Sequence, residues 1–500
     1  MIRWAAFVVP TCLLALGGLL AGCAVNPATG GMDFMLVSHD EETEIGRRTH
    51  REVLAEFGGV YYDPALADYV ERVGQRIART TEIQNFDYSF TVLDTPSVNA
   101  FALPGGYVYV TRGLLALVSS EAELASVLSH ELAHVNARHG AQRLSRMRVR
   151  ERFCETLTCD ADVPVLGDLA MIGARLALEG FSQEQEFEAD RIGMRYLHRA
   201  GYDTVAMLSF LKKLKAQNEL DGAKAGSGEA QAEPTDYSGT HPLTEERIAR
   251  AGTIARDYPA EDAPPVAEDY LTVIDGMLYG NRREYGFING RTYAHPIRRI
   301  TFTVPADFRL HTDSRRVTAV GPADSVILFE PSRLLYTGPM DGYLTGIWAD
   351  GIALEDVRRL TVNGMETATG WVRQETPIGY FDFRLVAIRI ESGMIDRFLL
   401  ATRAHMTQRL SEALRVTTYS FRRLSEKEAA ALRPKRLHVV TVTTGDTLAS
   451  LAATCSFADS AVRRLAIMNG LDGGTVAPGR RIELVTSQEG RRASISISRS

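Results

Sequence analysis

The sequence predicts a multidomain chain: a mainly α domain with a small β-sheet, an α+β middle region, and a compact βααβ module. Three observations carry this. The chain has 500 residues, and at roughly 150 residues per domain it exceeds one ordinary core. Apolar residues fall at helical spacing up to about residue 257, whereas short alternating or apolar runs dominate from 258 to 435. Two strand-like and two helical runs then fit within residues 436–487. Hydrophobic residues at 45% and charged residues at 24% are ordinary globular values, which excludes wholesale disorder. A formal charge of −6 leaves no basic excess, so no nucleic-acid partner is expected.

Residues 1–22 read as a signal peptide, with Arg3 before an apolar stretch from Ala5 to Leu20. Leu20-Ala21-Gly22-Cys23 resembles the bacterial lipoprotein box, which implies cleavage before Cys23 and lipidation at Cys23. Ala24, where an aspartate would resemble an inner-membrane retention signal, favours an outer-membrane lipoprotein facing the periplasm. No other apolar run approaches spanning length. In an oxidising compartment Cys154 and Cys159 could close a small disulfide loop or stay as two thiols.

Ser38 to Glu41 has capping-box spacing and opens a helix to about Phe57. Asp63-Pro64 opens a second, with Leu66, Val70, Val73 and Ile77 on one face. Tyr88–Leu93 and Tyr107–Val110 read as strands, with a Pro104-Gly105-Gly106 turn after residues 99–103. Tyr107–Val110 could be an edge open to an extended substrate or an interior strand. Ser120 to Glu123 opens a helix ending near Gly140, and a further helix covers Gln183–Arg199. Residues 218–240 have loop composition, a charged helical stretch spans about 403–432, and a frayed tail covers 488–500.

His130-Glu131-Leu132-Ala133-His134 is H-E-x-x-H. On a helix the two imidazoles share one face and can reach one ion, with Glu131 beside them as general base. A two-histidine zinc site needs a carboxylate from elsewhere in the chain. Glu186-Phe187-Glu188-Ala189-Asp190 supplies one, placing Glu186 and Asp190 one turn apart and Glu188 on another face. Zn2+, one ion per chain, is the expected cofactor, with Asp190 orienting a histidine ligand. The arginines at 143, 146, 148, 150 and 152 could face anionic lipid or form a solvated helix face.

Together with Asn99–Val110, Ala200-Gly201-Tyr202 and Thr240-His241-Pro242-Leu243, these motifs resemble the gluzincin metallopeptidase family that includes HtpX, the CAAX prenyl protease, BepA and LoiP. The resemblance covers residues 33–255 and implies a zincin-type metallopeptidase domain over residues 23–257. It implies His130, His134 and Glu186 as zinc ligands, Glu131 as catalytic base and Asp190 as support. It also implies that His241 can gate the metal, although Thr240-His241-Pro242 reads equally as a helix start.

Residues 436–487 contain Gly445-Asp446-Thr447-Leu448, Asn469-Gly470-Leu471 and Pro478-Gly479 before Ile482-Glu483-Leu484, and they resemble a LysM module. That implies peptidoglycan as a partner. The expected activity is endopeptidic cleavage of misfolded or unassembled envelope proteins. The alternatives are an endopeptidase for peptidoglycan stem peptides and a non-catalytic, wall-tethered assembly factor. No motif assigns chemistry to residues 258–435.

Overall fold

The computed structural model describes residues 23–157, 180–223, 237–258, 269–312, 316–376, 379–391, 393–457, 460–471 and 475–487. The expected signal peptide, the tail 488–500 and the side chains of Cys23, Cys154 and Cys159 lie outside the described parts.

The chain enters through a hairpin, β1 (Cys23–Val25) and β2 (Met32–Phe34), with Cys23 opposite Phe34. Asn26 Nδ2 ties this hairpin to the first domain by donating to the Ala137 carbonyl at 3.2 Å. Helix His39–Glu56 is capped by Ser38, and helix Pro64–Ala78 by Asp63. Leu66, Val70, Val73 and Ile77 are buried together, as their spacing predicts.

Strands β3 (Ser89–Leu93), β4 (Ala100–Leu103) and β5 (Tyr107–Thr111) form a sheet of order β3-β5-β4. β5 is therefore central, so the edge reading of Tyr107–Val110 is set aside and the edge beside the motif helix is β4. The motif helix spans Glu121–Asn136. It stops short of Gly140 because Arg138 takes a left-handed φ of 57°. Its guanidinium is held there by Glu42 Oε2 at 2.9 Å and the Val37 carbonyl at 2.8 Å, and a new helix, His139–Leu157, starts at once. Helices Gln183–Arg199, Val205–Ala223 and Glu245–Asp257 complete the bundle.

A short strand, β6 (Leu278–Tyr279), follows helix Tyr270–Ile274. The middle region then builds two sheets. One takes β7 (Phe287–Asn289), β8 (Thr292–His295) and β9 (Ile300–Thr303). The other takes β10 (Arg309–Thr312), β11 (Val317–Val320), β12 (Val326–Pro331), β13 (Glu355–Val362), β14 (Met365–Thr376), β15 (Gly379–Glu391) and β16 (Met394–Arg403), in the order β10-β11-β12-β16-β15-β14-β13. The charged stretch 403–432 is two helices, Thr407–Ser420 and Glu426–Ala431, separated by β17 (Arg422–Arg423), which pairs with β9.

The C-terminal module runs β18 (Lys435–Thr441), helices Leu448–Thr454 and Ala461–Met468, then β19 (Arg481–Thr486). β6 adds to it as a third strand, in the order β19-β18-β6. Tyr270, Ile274 and Leu278, which the sequence groups with the middle region, share one core with the motif helix and with Leu437, Met468 and Val485. Buried Lys213 joins the two parts, donating to Glu123 Oε2 at 2.8 Å, Ser119 Oγ at 2.7 Å and the Met468 carbonyl at 3.1 Å. Among the described residues no helix is long and apolar enough to cross a membrane.

Candidate metal centre

The motif helix is buried on all sides from Glu123 to Asn136, with Leu124, Leu128 and Leu132 in the core. This fixes His130 and His134 on one face, one turn apart. Helix Gln183–Arg199 crosses close by, opened by a capping box at Ser182. Gly193 permits that approach: a Cβ there would stand 3.1 Å from the His130 backbone nitrogen.

The crossing brings Glu186 to 3.5 Å from His130 Nε2 and 3.5 Å from His134 Nε2, while the two Nε2 atoms lie 3.0 Å apart. Helix Tyr237–Thr240 delivers His241, whose Nδ1 is 3.2 Å from His130 Nε2 and 3.0 Å from Glu186 Oε1. One ligand atom from each of His130, His134, Glu186 and His241 falls within 4.8 Å of the others. Glu131 is fully buried beside them, 3.5 Å from His241 Nε2.

Hydrogen bonds around the cluster set its tautomers. His130 Nδ1 faces Asp190 Oδ1 at 2.9 Å, which places one proton there and leaves Nε2, once it gives up its own proton, to turn a lone pair toward the cluster. His134 Nδ1 meets His139 Nδ1 at 2.8 Å, and His139 Nε2 meets Glu188 Oε2 at 2.9 Å. The Glu188 carboxylate accepts from His139 Nε2–H, which leaves His139 Nδ1 to accept from His134 Nδ1–H. His134 Nε2 is then also a bare lone pair aimed inward. Arg247 clamps the carboxylates, with Nε and Nη2 each 2.8 Å from Asp190 and Nη1 2.5 Å from Glu186 Oε2. Phe181 stacks on His134 at 3.9 Å, and Tyr237 stacks on His241 at 4.5 Å.

Charge follows the same logic. Burial works against a charged His130, but the Asp190 and Glu186 carboxylates outweigh it and push its pKa up to about 9. Burial holds His134 well below the ordinary histidine range. Burial would raise Glu186, yet His241 and Arg247 hold it well below the usual carboxylate range. Burial pushes Glu131 up.

The donors fit a divalent cation. Two inward imidazole lone pairs and a carboxylate form the two-histidine, one-glutamate set that zinc accepts. Both Glu131 oxygens and His241 Nε2 are buried with no hydrogen-bond partner among the described residues. Such groups cost about 1–3 kcal/mol each unless another species satisfies them. The carboxylate field that favours a proton on His130 equally favours a dication.

All the sequence-predicted site residues except Cys23 meet in this one cluster. His139, Glu188, Arg247 and Gly193 also build it, in roles that the sequence motifs do not assign. The E-x-E-A-D pattern contained Glu188, but its partner His139 becomes visible only once the chain reverses at Arg138.

A buried zincin cluster on two crossed helices defines a metallopeptidase-type hydrolase. The chain belongs to peptidase family M48, whose model matches residues 64–255. It is 30% identical over 270 residues to the beta-barrel assembly-enhancing protease of Yersinia pestis, covering 51% of this chain and 52% of that one. It is 31% identical over 247 residues to the mitochondrial metalloendopeptidase OMA1 of Schizosaccharomyces pombe, covering 47% and 69%. Against the beta-barrel assembly-enhancing protease of Escherichia coli K12 it is 33% identical over 201 residues, covering 38% and 39%. The chain thus spans about half the length, or less, of these bacterial relatives.

Proposed function

We propose that the protein is a zinc metalloendopeptidase, held as a lipoprotein at the periplasmic face of the outer membrane, that cleaves misfolded or unassembled envelope proteins. The observation that carries this reading is the convergence of His130, His134 and Glu186 beside an unpartnered, buried Glu131.

His130, His134 and Glu186 would hold the ion. When bound, zinc acidifies water and polarises the scissile carbonyl. Glu131 takes the proton from the attacking water and later returns it to the leaving amine, and burial strengthens it as a base. Asp190 and the His139–Glu188 pair keep the two imidazoles in the right tautomer. An extended substrate pairs with edge strand β4, next to the motif helix. His241 acts as a gate, because it shares the space around Glu186 and Glu131 that a scissile bond needs.

The envelope reading draws on the beta-barrel assembly-enhancing relatives and on the N-terminal hairpin. That hairpin leaves Val25 59% and Met32 64% exposed right after Cys23, as a bilayer-contacting segment would. Peptidoglycan contact through the LysM-like module is placed on its exposed 443–447 loop, since the Asn469–Leu471 turn packs against Lys213.

In the decisive assay, purified protein cleaves unfolded casein, a chelator stops cleavage, added zinc restores it, and purified peptidoglycan releases no peptides. A zinc-supplied protein that cuts neither substrate contradicts the proposal. In the same assay His241→Ala raises casein cleavage several-fold, and an unchanged rate removes the gate.

A further inference from the structure

The seven-stranded sheet and helix Thr407–Ser420 line a solvent-open cavity of about 630 Å³ to which no residue of the metal centre contributes. Small-molecule sites usually measure roughly 300–1,000 Å³. Side chains alternate across a strand, so Arg384 and Val386 on β15 share one face with Leu400 on β16 and Trp371 on β14. Val386, Leu400 and Leu360, with Leu414 from the helix, give the cavity an apolar floor.

Most of the charged groups around that floor are paired with one another or with neighbours. Asp382 is bound by Arg373 through two contacts of 2.7 and 3.0 Å, and it accepts from the Thr407 hydroxyl at 2.7 Å. Thr369 Oγ1 donates to the Leu385 carbonyl at 2.9 Å, and Thr402 shares a hydrogen with Thr407 at 2.8 Å. Arg358 pairs with Asp356, and Arg415 with Glu412. Arg384 alone on this lining has no acidic partner among the described residues; its Nη1 reaches only Thr369 Oγ1, at 3.4 Å. An anion on an apolar chain finds both of its requirements.

We propose that this cavity binds a single-chain anionic amphiphile, a long-chain fatty acid, with its chain on Val386, Leu400 and Leu414 and its carboxylate on Arg384. A guanidinium–carboxylate pair is a charge-assisted, two-pronged contact, stronger than a neutral hydrogen bond. The site is independent of the metal centre, and its test does not rely on peptidase activity.

The test is calorimetric titration of the full-length protein with oleate below its micelle concentration, with dodecyl maltoside as a neutral chain and acetate as a head without a chain. The account expects one oleate per chain, weaker dodecyl maltoside binding and no measurable acetate binding. Arg384→Ala, at an exposed position, should weaken oleate about tenfold or more and leave dodecyl maltoside unchanged. Ser411→Trp at the exposed mouth should weaken both chains without lowering the melting temperature. The proposal is overturned if oleate does not saturate at one site, or if Arg384→Ala binds it as tightly as the wild type.

Discussion

Glu131→Gln is expected to lower the rate of peptide hydrolysis by about a thousandfold, inside the 10²–10⁴ range that a positioned acid–base group contributes. Glutamine keeps the shape of the side chain and removes the ability to take a proton. Glu131 is fully buried, so no neighbouring solvent-exposed carboxylate can replace it. Burial also holds its pKa above the ordinary glutamate value, which brings a carboxylate closer to the basicity that proton transfer near neutral pH requires. Glu131 supplies none of the atoms in the four-donor cluster, so zinc content and melting temperature should stay at wild-type values. Steady-state cleavage of a fluorogenic peptide, with metal analysis of the same samples, checks both halves. Loss of the metal together with the activity would make Glu131 a ligand and refute its assigned role.

The second large effect concerns stability. Arg247→Met should destabilise the metal-free protein by about 3–5 kcal/mol, the usual cost of removing one partner from a buried ion pair. Arg247 is fully buried, and its guanidinium is shared between Asp190 and Glu186. Methionine fills similar space but leaves two buried carboxylates without the guanidinium that they share, with the His130 ring as their remaining close cation. The pH dependence follows in sign. Burial alone would raise Asp190, but Arg247 and His130 hold it below its ordinary value. Its stabilising contribution is therefore present above the ordinary carboxylate range and is lost as pH falls through its lowered value. In Arg247→Met that contribution should shrink, leaving a flatter acid limb. Urea unfolding of metal-free protein at several pH values measures this. A variant within about 0.5 kcal/mol of wild type, the range of an ordinary surface substitution, would show that the clamp carries no stability.

Local pattern made the metal centre legible, and distance in sequence hid its supports. H-E-x-x-H and E-x-x-x-D are one-turn spacings on helices that the sequence already marks, the first by its Ser120 cap, so five of the clustered residues could be read directly. Arg247 sits in an ordinary-looking charged helix, and only the tertiary packing turns it inward. His139 depends on a left-handed residue at Arg138, and an arginine gives no local signal for that conformation. The same limit applies to the fold. Helix Pro64–Ala78 followed from its apolar face, whereas β14 carries Thr-Ala-Thr-Gly in its middle and shows no alternation of hydrophobic residues. The pairing of β6 with β18 joins segments more than a hundred residues apart, which no window of sequence reveals.

The most direct test is the metal content of the purified chain and of Glu186→Ala after equilibration with zinc. Three converging donors predict one zinc ion per wild-type chain and a large loss of bound zinc in the variant, with both proteins still folded by circular dichroism. Wild-type protein without stoichiometric zinc, or Glu186→Ala that retains a full equivalent, would contradict the account.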